Sequence, residues 1–184
     1  MQTVTKDNRQ VVFRRLYLDD LDNLFKYLQG LSAETKRRFG PHEFDSQGLN
    51  KFYESNLNLG YLAIDSDTND IIAYAVIKIG YLEHDRNRLE SYGMLLDNQK
   101  DSTFAPSVTD IWQGYGIGKH LFKYLLSDLT TCNIERIILW GGVQMDNERA
   151  LNYYKKMGFD TIGQFTYNGE NFDMIYDIIK KPST

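Results

Sequence analysis

The chain has 184 residues and a formal net charge of −4, with both signs interspersed. That balance leaves no electrostatic footprint for nucleic acid, which is excluded as the expected partner. A content of 42% hydrophobic and 14% aromatic residues is enough for a buried core and excludes a disordered chain.

The length suits one domain over residues 1–184, with no repeat, low-complexity tract or linker to divide it. The longest apolar run, residues 71–77, is far too short to span a bilayer, so no membrane partner is expected. The first ten residues are polar and lack an apolar signal region, which favours the cytoplasm. Cys132 is the single cysteine, so no intrachain disulfide can form. His42, His84 and His120 have no ligand spacing, and no metal is expected.

Taken in order, residues 11–16 read as a first strand. Asp19 or Asp20 then caps a helix that carries Leu21, Leu24, Phe25 and Leu28 on one face and stops at Gly30. Residues 32–39 form a second short helix, closed by Gly40-Pro41. Residues 49–57 form a third, weaker one. Residues 61–65 and 71–77 are β-rich and flank a polar turn, which predicts a hairpin. Residues 81–102 are charged and irregular, with added strand at 92–96. Residues 104–111 predict a strand and residues 119–128 a helix with Leu121, Phe122, Leu125 and Leu126 inward. Residues 136–140 read as a buried strand and residues 147–157 as a helix closed by Gly158. The segments 160–165 and 172–179 pair around Asn168-Gly169. The order is β-α-α-(α)-β-β-β-α-β-α-β-β. It predicts an α/β (α+β) fold with a mixed sheet, helices on both faces, and a parallel pair made by strands 104–111 and 136–140.

Gln113-Gly114-Tyr115-Gly116-Ile117-Gly118-Lys119-His120 lies between a strand and a helix. Two readings stand: a turn that needs glycine for its dihedrals, or an anion site. In the second, the unpaired amides and positive dipole end of the helix face a phosphate. A P-loop is excluded, because Gln113 and His120 occupy its Gly and Ser/Thr places. A dinucleotide fingerprint is excluded by the G-x-G-x-G spacing and by its position past mid-chain.

These motifs resemble the GNAT family of N-acetyltransferases. Gln113-Gly114-Tyr115-Gly116-Ile117-Gly118 matches the family's [Gln/Arg]-x-x-Gly-x-[Gly/Ala]. Asn147-Glu148-Arg149-Ala150-Leu151-Asn152-Tyr153-Tyr154-Lys155-Lys156-Met157-Gly158-Phe159 matches its Asn-x-x-Ala-x-x-x-Tyr-x-Lys-x-Gly-Phe. Asp110 stands where the family usually has proline. The resemblance runs from Phe13 to about Ile178, with a motif core at about 104–178. It implies a mostly antiparallel sheet of six to seven strands and a central splayed parallel pair.

The resemblance also implies acetyl-CoA as donor and a primary amine, on a small molecule or a peptide, as acceptor. The pyrophosphate would rest on the backbone of Gly114, Tyr115, Gly116, Ile117, Gly118 and Lys119, with Gln113 and Asn147 also on the cofactor. Lys119, Lys123 and His120 are candidates for added charge near the phosphates. The pantetheine arm would pair with Pro106, Ser107 and Val108, and an amide near Val108 would stabilise the oxyanion. Tyr154 matches the general acid, and Tyr153 is its control. Some members carry a base five residues before the Asn, where this chain has Gly142. Asp110, Glu90 or a water chain remain as the base. The missing Glu keeps a second reading open, a non-catalytic acyl-CoA sensor, beside a third with no ligand at all. Family members often dimerise, so a second copy is a candidate partner. Tyr53, Tyr81, Tyr92, Phe165, Tyr167 and Phe172, with Glu43, Asp45, Glu83, Glu90 and Glu170, suit a cationic acceptor such as a polyamine, an aminoglycoside or a lysine side chain.

Overall fold

The computed structural model describes residues 1–5 and 8–180. Part of the polar N-terminal stretch and the last four residues of the expected domain lie outside them. The described residues divide into two units. The first comprises residues 1–5, 8–77 and 105–128, the second residues 78–104 and 129–180.

In the first unit, β1 (Gln2–Val4), β2 (Gln10–Arg15) and β3 (Asn58–Asp65) pair antiparallel in order. Next come β4 (Ile71–Ile79), save its last two residues, which fall in the second unit, and the second half of β5 (Asp101–Val108). The 66–70 turn joins β3 to β4 as expected, with Asn69 at φ 61° and the Asp65 amide donating to the Asp70 carbonyl at 3.0 Å. Tyr61 to Ala63 and Ala73 to Ile77 are fully buried. That is why these runs are apolar at every position rather than at alternate ones.

Helices α1 (Leu21–Gly30), α2 (Ala33–Arg38) and α3 (Ser46–Tyr53) fill the connection from β2 to β3. Leu21, Leu24 and Leu28 are buried at helical spacing. Asp20 stands at the N-cap of α1 but makes no side-chain cap bond. Its carboxylate holds both Arg14 nitrogens, at 2.6 and 2.7 Å, an ion pair stronger than a neutral cap bond. Ser32 and Asp45 do cap, accepting from the amides of Thr35 and Gly48. The third helix begins and ends earlier than residues 49–57 because Asp45 fixes its start. α5 (Ile117–Leu129) completes the unit, save its last residue, Leu129, which falls in the second.

In the second unit β5 begins at Asp101, three residues before the expected strand. Asp101, Ser102 and Thr103 are buried at 0–1% exposure, with Asp101 paired to Arg136 at 2.7 Å. β5 pairs parallel with β6 (Arg136–Leu139), from Asp101↔Arg136 to Phe104↔Leu139, as the crossover order predicts. β9 (Glu170–Asp177) runs antiparallel to β6, to β7 (Val143–Gln144) and to β8 (Asp160–Thr166). Asn168 at φ 49° and Gly169 at φ 115° make the expected hairpin turn.

Nine strands occur among the described residues, against the six to seven expected. β1 and β7 are three and two residues long, too short to carry an alternating pattern. The strand expected at 92–96 does not form. Residues 86–91 instead make α4 (Arg86–Ser91), whose Tyr92 amide closes on Leu89 at 3.2 Å. α6 (Glu148–Met157) ends at Gly158, in left-handed conformation. Among the described residues, no helix is long and apolar enough to cross a membrane.

Candidate active site

The glycine stretch is the junction from β5 to α5. β5 stops at Val108, and residues 110–112 form a 3-10 turn rather than strand. The Thr109 amide and hydroxyl both reach the Ile72 carbonyl, at 3.0 and 3.1 Å. Gln113 then folds back. Its Nε2 donates to the Val108 carbonyl at 3.0 Å and to Asp110 Oδ1 at 2.9 Å. The first residue of the motif is therefore a clamp on the end of β5.

Gly114 and Gly116 follow at φ 86° and 81°, where an L side chain is strained. A Cβ at Gly114 would meet nothing within 4 Å, and one at Gly116 only His120, at 3.9 Å. So glycine is needed here for its dihedrals, and the space around it is open. Gly118 lies inside α5. The helix is thirteen residues long and starts at Ile117, so its first amides point into that space. Lys119 is exposed beside them. Burial, then the charges of Lys119 and Lys123, holds His120 below the usual histidine value. At neutral pH it adds little charge.

One further cation at this loop escaped the sequence reading. The Arg9 guanidinium stacks 3.5 Å from the centre of the Trp112 ring and 4.7 Å from that of Tyr115. A cation–π contact from the residue just before β2 to this loop spans more than a hundred residues, and no local pattern signals it.

On β5, Ser107 is buried. Its Oγ pairs with Tyr27 Oη at 2.9 Å and donates to the Tyr74 carbonyl at 3.3 Å. Pro106 and Val108 are half-buried. Asp110, one of the two proposed bases, accepts at a single oxygen from Thr35 Oγ1 at 3.2 Å and from Gln113. These bonds make it a tie between α2 and the loop.

In the second unit Asn147 is the N-cap of α6, its Oδ1 accepting from the Ala150 amide at 3.1 Å. It wins that position over Asp146 and keeps its Nδ2 donors. Tyr154 is buried on α6. Its ring packs against Phe159 at 5.4 Å, which in turn stacks on Phe104 at 6.2 Å. Burial pushes the Tyr154 phenol well above its ordinary value, so it stays protonated. Glu90, the other proposed base, is exposed on α4.

Gly142 has φ 70°, and a Cβ there would come within 2.6 Å of the Phe172 carbonyl. The backbone at this position excludes a side chain, which is the physical reason that no Glu stands there. Among the described residues, Gln144 Oε1 is buried without a hydrogen-bond partner.

The fold has many relatives. The GNAT domain of S. lividans PAT superposes with a TM-score of 0.74 at 17% identity, over 96% of each chain. A spermidine N-acetyltransferase chimera of SpeG from Vibrio cholerae and hSSAT gives 0.66 at 21% identity, over 92% of this chain and 96% of that one. Aminoglycoside acetyltransferase AAC(6')-Ib, in complex with coenzyme A and kanamycin, gives 0.66 at 18% identity, over 94% and 99%. At these identities the structures speak to the fold. The sequence speaks for itself: the pattern of the acetyltransferase (GNAT) family matches residues 25–159, from α1 through the glycine junction to the end of the Asn147 helix. The chain belongs to the GNAT acetyltransferase family.

Proposed function

We propose that this protein transfers an acetyl group from acetyl-CoA to a primary amine. The observation that carries the proposal is the junction from β5 to α5. Two positive-φ glycines with open space meet the amide end of a thirteen-residue helix. Such an end suits a pyrophosphate. Gly114, Tyr115, Gly116, Ile117, Gly118 and Lys119 would hold it, with Gln113 fixing the loop and Arg9 supplying a held positive charge. Pro106, Ser107 and Val108 would border the pantetheine arm. Acetyl-CoA brings the activated acyl group, and the amine displaces its thiol.

The chain's own residues then have two tasks. An amide at Val108 donates to the oxygen that becomes negative, a contribution of about 3–4 kcal/mol in acyl transfer. Tyr154, by its place in the Asn147 motif, gives its phenolic proton to the departing sulfur. Acceptors of the kinds that the relatives' names record, spermidine and kanamycin, fit the many aromatic and acidic residues of this chain. The side-chain-free Gly142 supports a second reading, an acyl-CoA sensor without turnover.

Coenzyme A at saturation is expected to raise the melting temperature, since a ligand of the native state stabilises it. Gly116→Ala is expected to weaken that binding about tenfold, because alanine at φ 81° costs about 1 kcal/mol or more. Calorimetry with coenzyme A reads both. Equal affinity in the variant would remove the loop from the site.

A further inference from the structure

The end of β5 is held by a set of side-chain bonds within the first unit, drawn from α2 and from the turn after the strand. Asp110 is their centre. Its Oδ1 accepts from Gln113 Nε2 at 2.9 Å and from Thr35 Oγ1, on α2, at 3.2 Å. Gln113 Nε2 also donates to the Val108 carbonyl at 3.0 Å. Behind Thr35, Ser32 Oγ lies 3.1 Å from Thr35 Oγ1 and accepts from the Thr35 amide at 3.2 Å.

The direction of each bond follows from the chemistry. A carboxylate and a carbonyl only accept, so the nitrogen of the Gln113 carboxamide, not its oxygen, faces Asp110 and Val108. Thr35 gives its hydroxyl hydrogen to Asp110 and so takes one from Ser32. The donors run from Ser32 to Thr35 to Asp110, and each bond polarises the next. The main chain closes the same turn. The Trp112 and Gln113 amides donate to the carbonyls of Thr109 and Asp110, at 2.9 and 3.2 Å.

These bonds converge on one peptide plane, the one that joins Val108 to Thr109. Its N–H donates to the Ile72 carbonyl of β4 at 3.0 Å, and the Thr109 hydroxyl adds a bond to the same oxygen at 3.1 Å. Its C=O points the opposite way, as in any trans peptide, and Gln113 takes it. The plane is gripped at both ends. Val108 is the last residue of β5. In an extended residue the N–H and C=O point to the same side of the strand. The Val108 amide therefore faces away from β4, on the side where the Gln113 carboxamide sits. The parallel register with β6 ends at Phe104↔Leu139, so that ladder does not reach this amide.

We propose that Asp110 and Thr35 are positioning residues for acetyl transfer: through Gln113 they keep the Val108 amide aimed at the oxygen that becomes negative. This rests on the acetyl-transfer reading, and it gives Asp110 a role other than that of the base. A donor to an oxyanion is worth most when it is aimed before the charge develops and need not turn as it does. Val108 ends its strand just before the chain turns, so no further ladder keeps its amide in line. The tie from Asp110 supplies that restraint from the side. Asp110 is exposed. Water competes for its bonds, so their net worth to the stability of the fold is small, and their value lies in geometry.

The test is steady-state acetyl transfer to spermidine and to kanamycin in wild type, Asp110→Ala, Asp110→Asn, Thr35→Val and Thr35→Ser. Melting temperature, coenzyme A affinity and the pH profile of kcat are read alongside. Asparagine keeps an acceptor oxygen at the place of Oδ1 but cannot titrate, and serine keeps the hydroxyl that valine lacks. Asp110→Ala should lower kcat about tenfold, a part of the roughly 100-fold or more that a whole oxyanion donor is worth. Asp110→Asn should recover most of that loss. Thr35→Val should lose about threefold, the worth of one modest hydrogen bond, and Thr35→Ser should recover it. The pH profile should keep its wild-type shape in every variant, and the melting temperature should move by no more than about 2 °C. Coenzyme A affinity should stay within about twofold, because the bond to the oxyanion forms only in the transition state. An Asp110→Asn as slow as Asp110→Ala overturns the inference, and an altered acid limb would make Asp110 the base. A coenzyme A affinity that falls in step with kcat means that the bonds hold the phosphate loop instead, and a kcat loss that comes only with a large fall in melting temperature makes them structural. Either result overturns the inference, as does a wild-type kcat in Asp110→Ala. A wild-type kcat in Thr35→Val removes α2 from the tie. A wild type that acetylates no amine overturns the acetyl-transfer reading itself, so the two failures are distinguishable.

Discussion

Tyr154→Phe is expected to lower kcat about 100-fold, the usual worth of a positioned general acid, while coenzyme A affinity stays unchanged. A thiol leaves poorly as its anion unless a proton arrives with it. Burial pushes the Tyr154 phenol far above neutrality. The sign is therefore fixed: the proton is in place at every working pH, and Tyr154 adds no alkaline limb to the rate below the ordinary tyrosine value of about 10. Tyr153 is the matched control. Its ring lies 5.1 Å from that of Tyr154, at a steep angle, and its removal should change the rate far less. Steady-state thiol release reads both variants. If Tyr153→Phe slows the reaction and Tyr154→Phe does not, the proton donor has been misassigned.

The largest effect on stability is expected at Arg88. Its guanidinium takes Asp173 with two nitrogens, at 2.8 and 3.1 Å, and Asp85 at 2.8 Å. It also lies 3.7 Å from the centre of the Phe165 ring. The side chains of Asp173 and Asp85 are 1% and 4% exposed. Arg88→Leu keeps much of the apolar stem's packing but strands two buried carboxylates. Breaking a buried pair this way costs about 3–5 kcal/mol, or about 10 °C in melting temperature for a chain of this size. Urea unfolding measures it. Asp85→Asn with Asp173→Asn in the same background should recover part of the loss, since neutral amides are cheaper to bury than unpaired charges. A loss under 1 kcal/mol in Arg88→Leu would mean that the cluster contributes little.

The two motif segments carried most of what the sequence could tell. The glycines at 114 and 116 and the Asn147-to-Gly158 helix appear where their spacing put them, because caps, turns and helix ends are decided by neighbours in the chain. Asp101, Ser102 and Thr103 look like loop and are core strand. Their burial depends on Arg136, thirty-five residues away from Asp101. Arg88 looked like part of an irregular charged stretch, yet it lies on a helix and joins the local acid Asp85 to Asp173, eighty-five residues away. The strand at 104–111 ended early because Gln113 folds back on Val108, a side-chain bond that no β-propensity encodes.

The central claim is turnover. The most direct measurement is thiol release from acetyl-CoA in the presence of spermidine, kanamycin and a lysine-containing peptide, each against an acetyl-CoA-only blank. The account predicts amine-dependent release with at least one acceptor, matched mole for mole by acetylated amine. Tight coenzyme A binding with no amine-dependent release from any of them would contradict it, and would make the protein an acyl-CoA sensor.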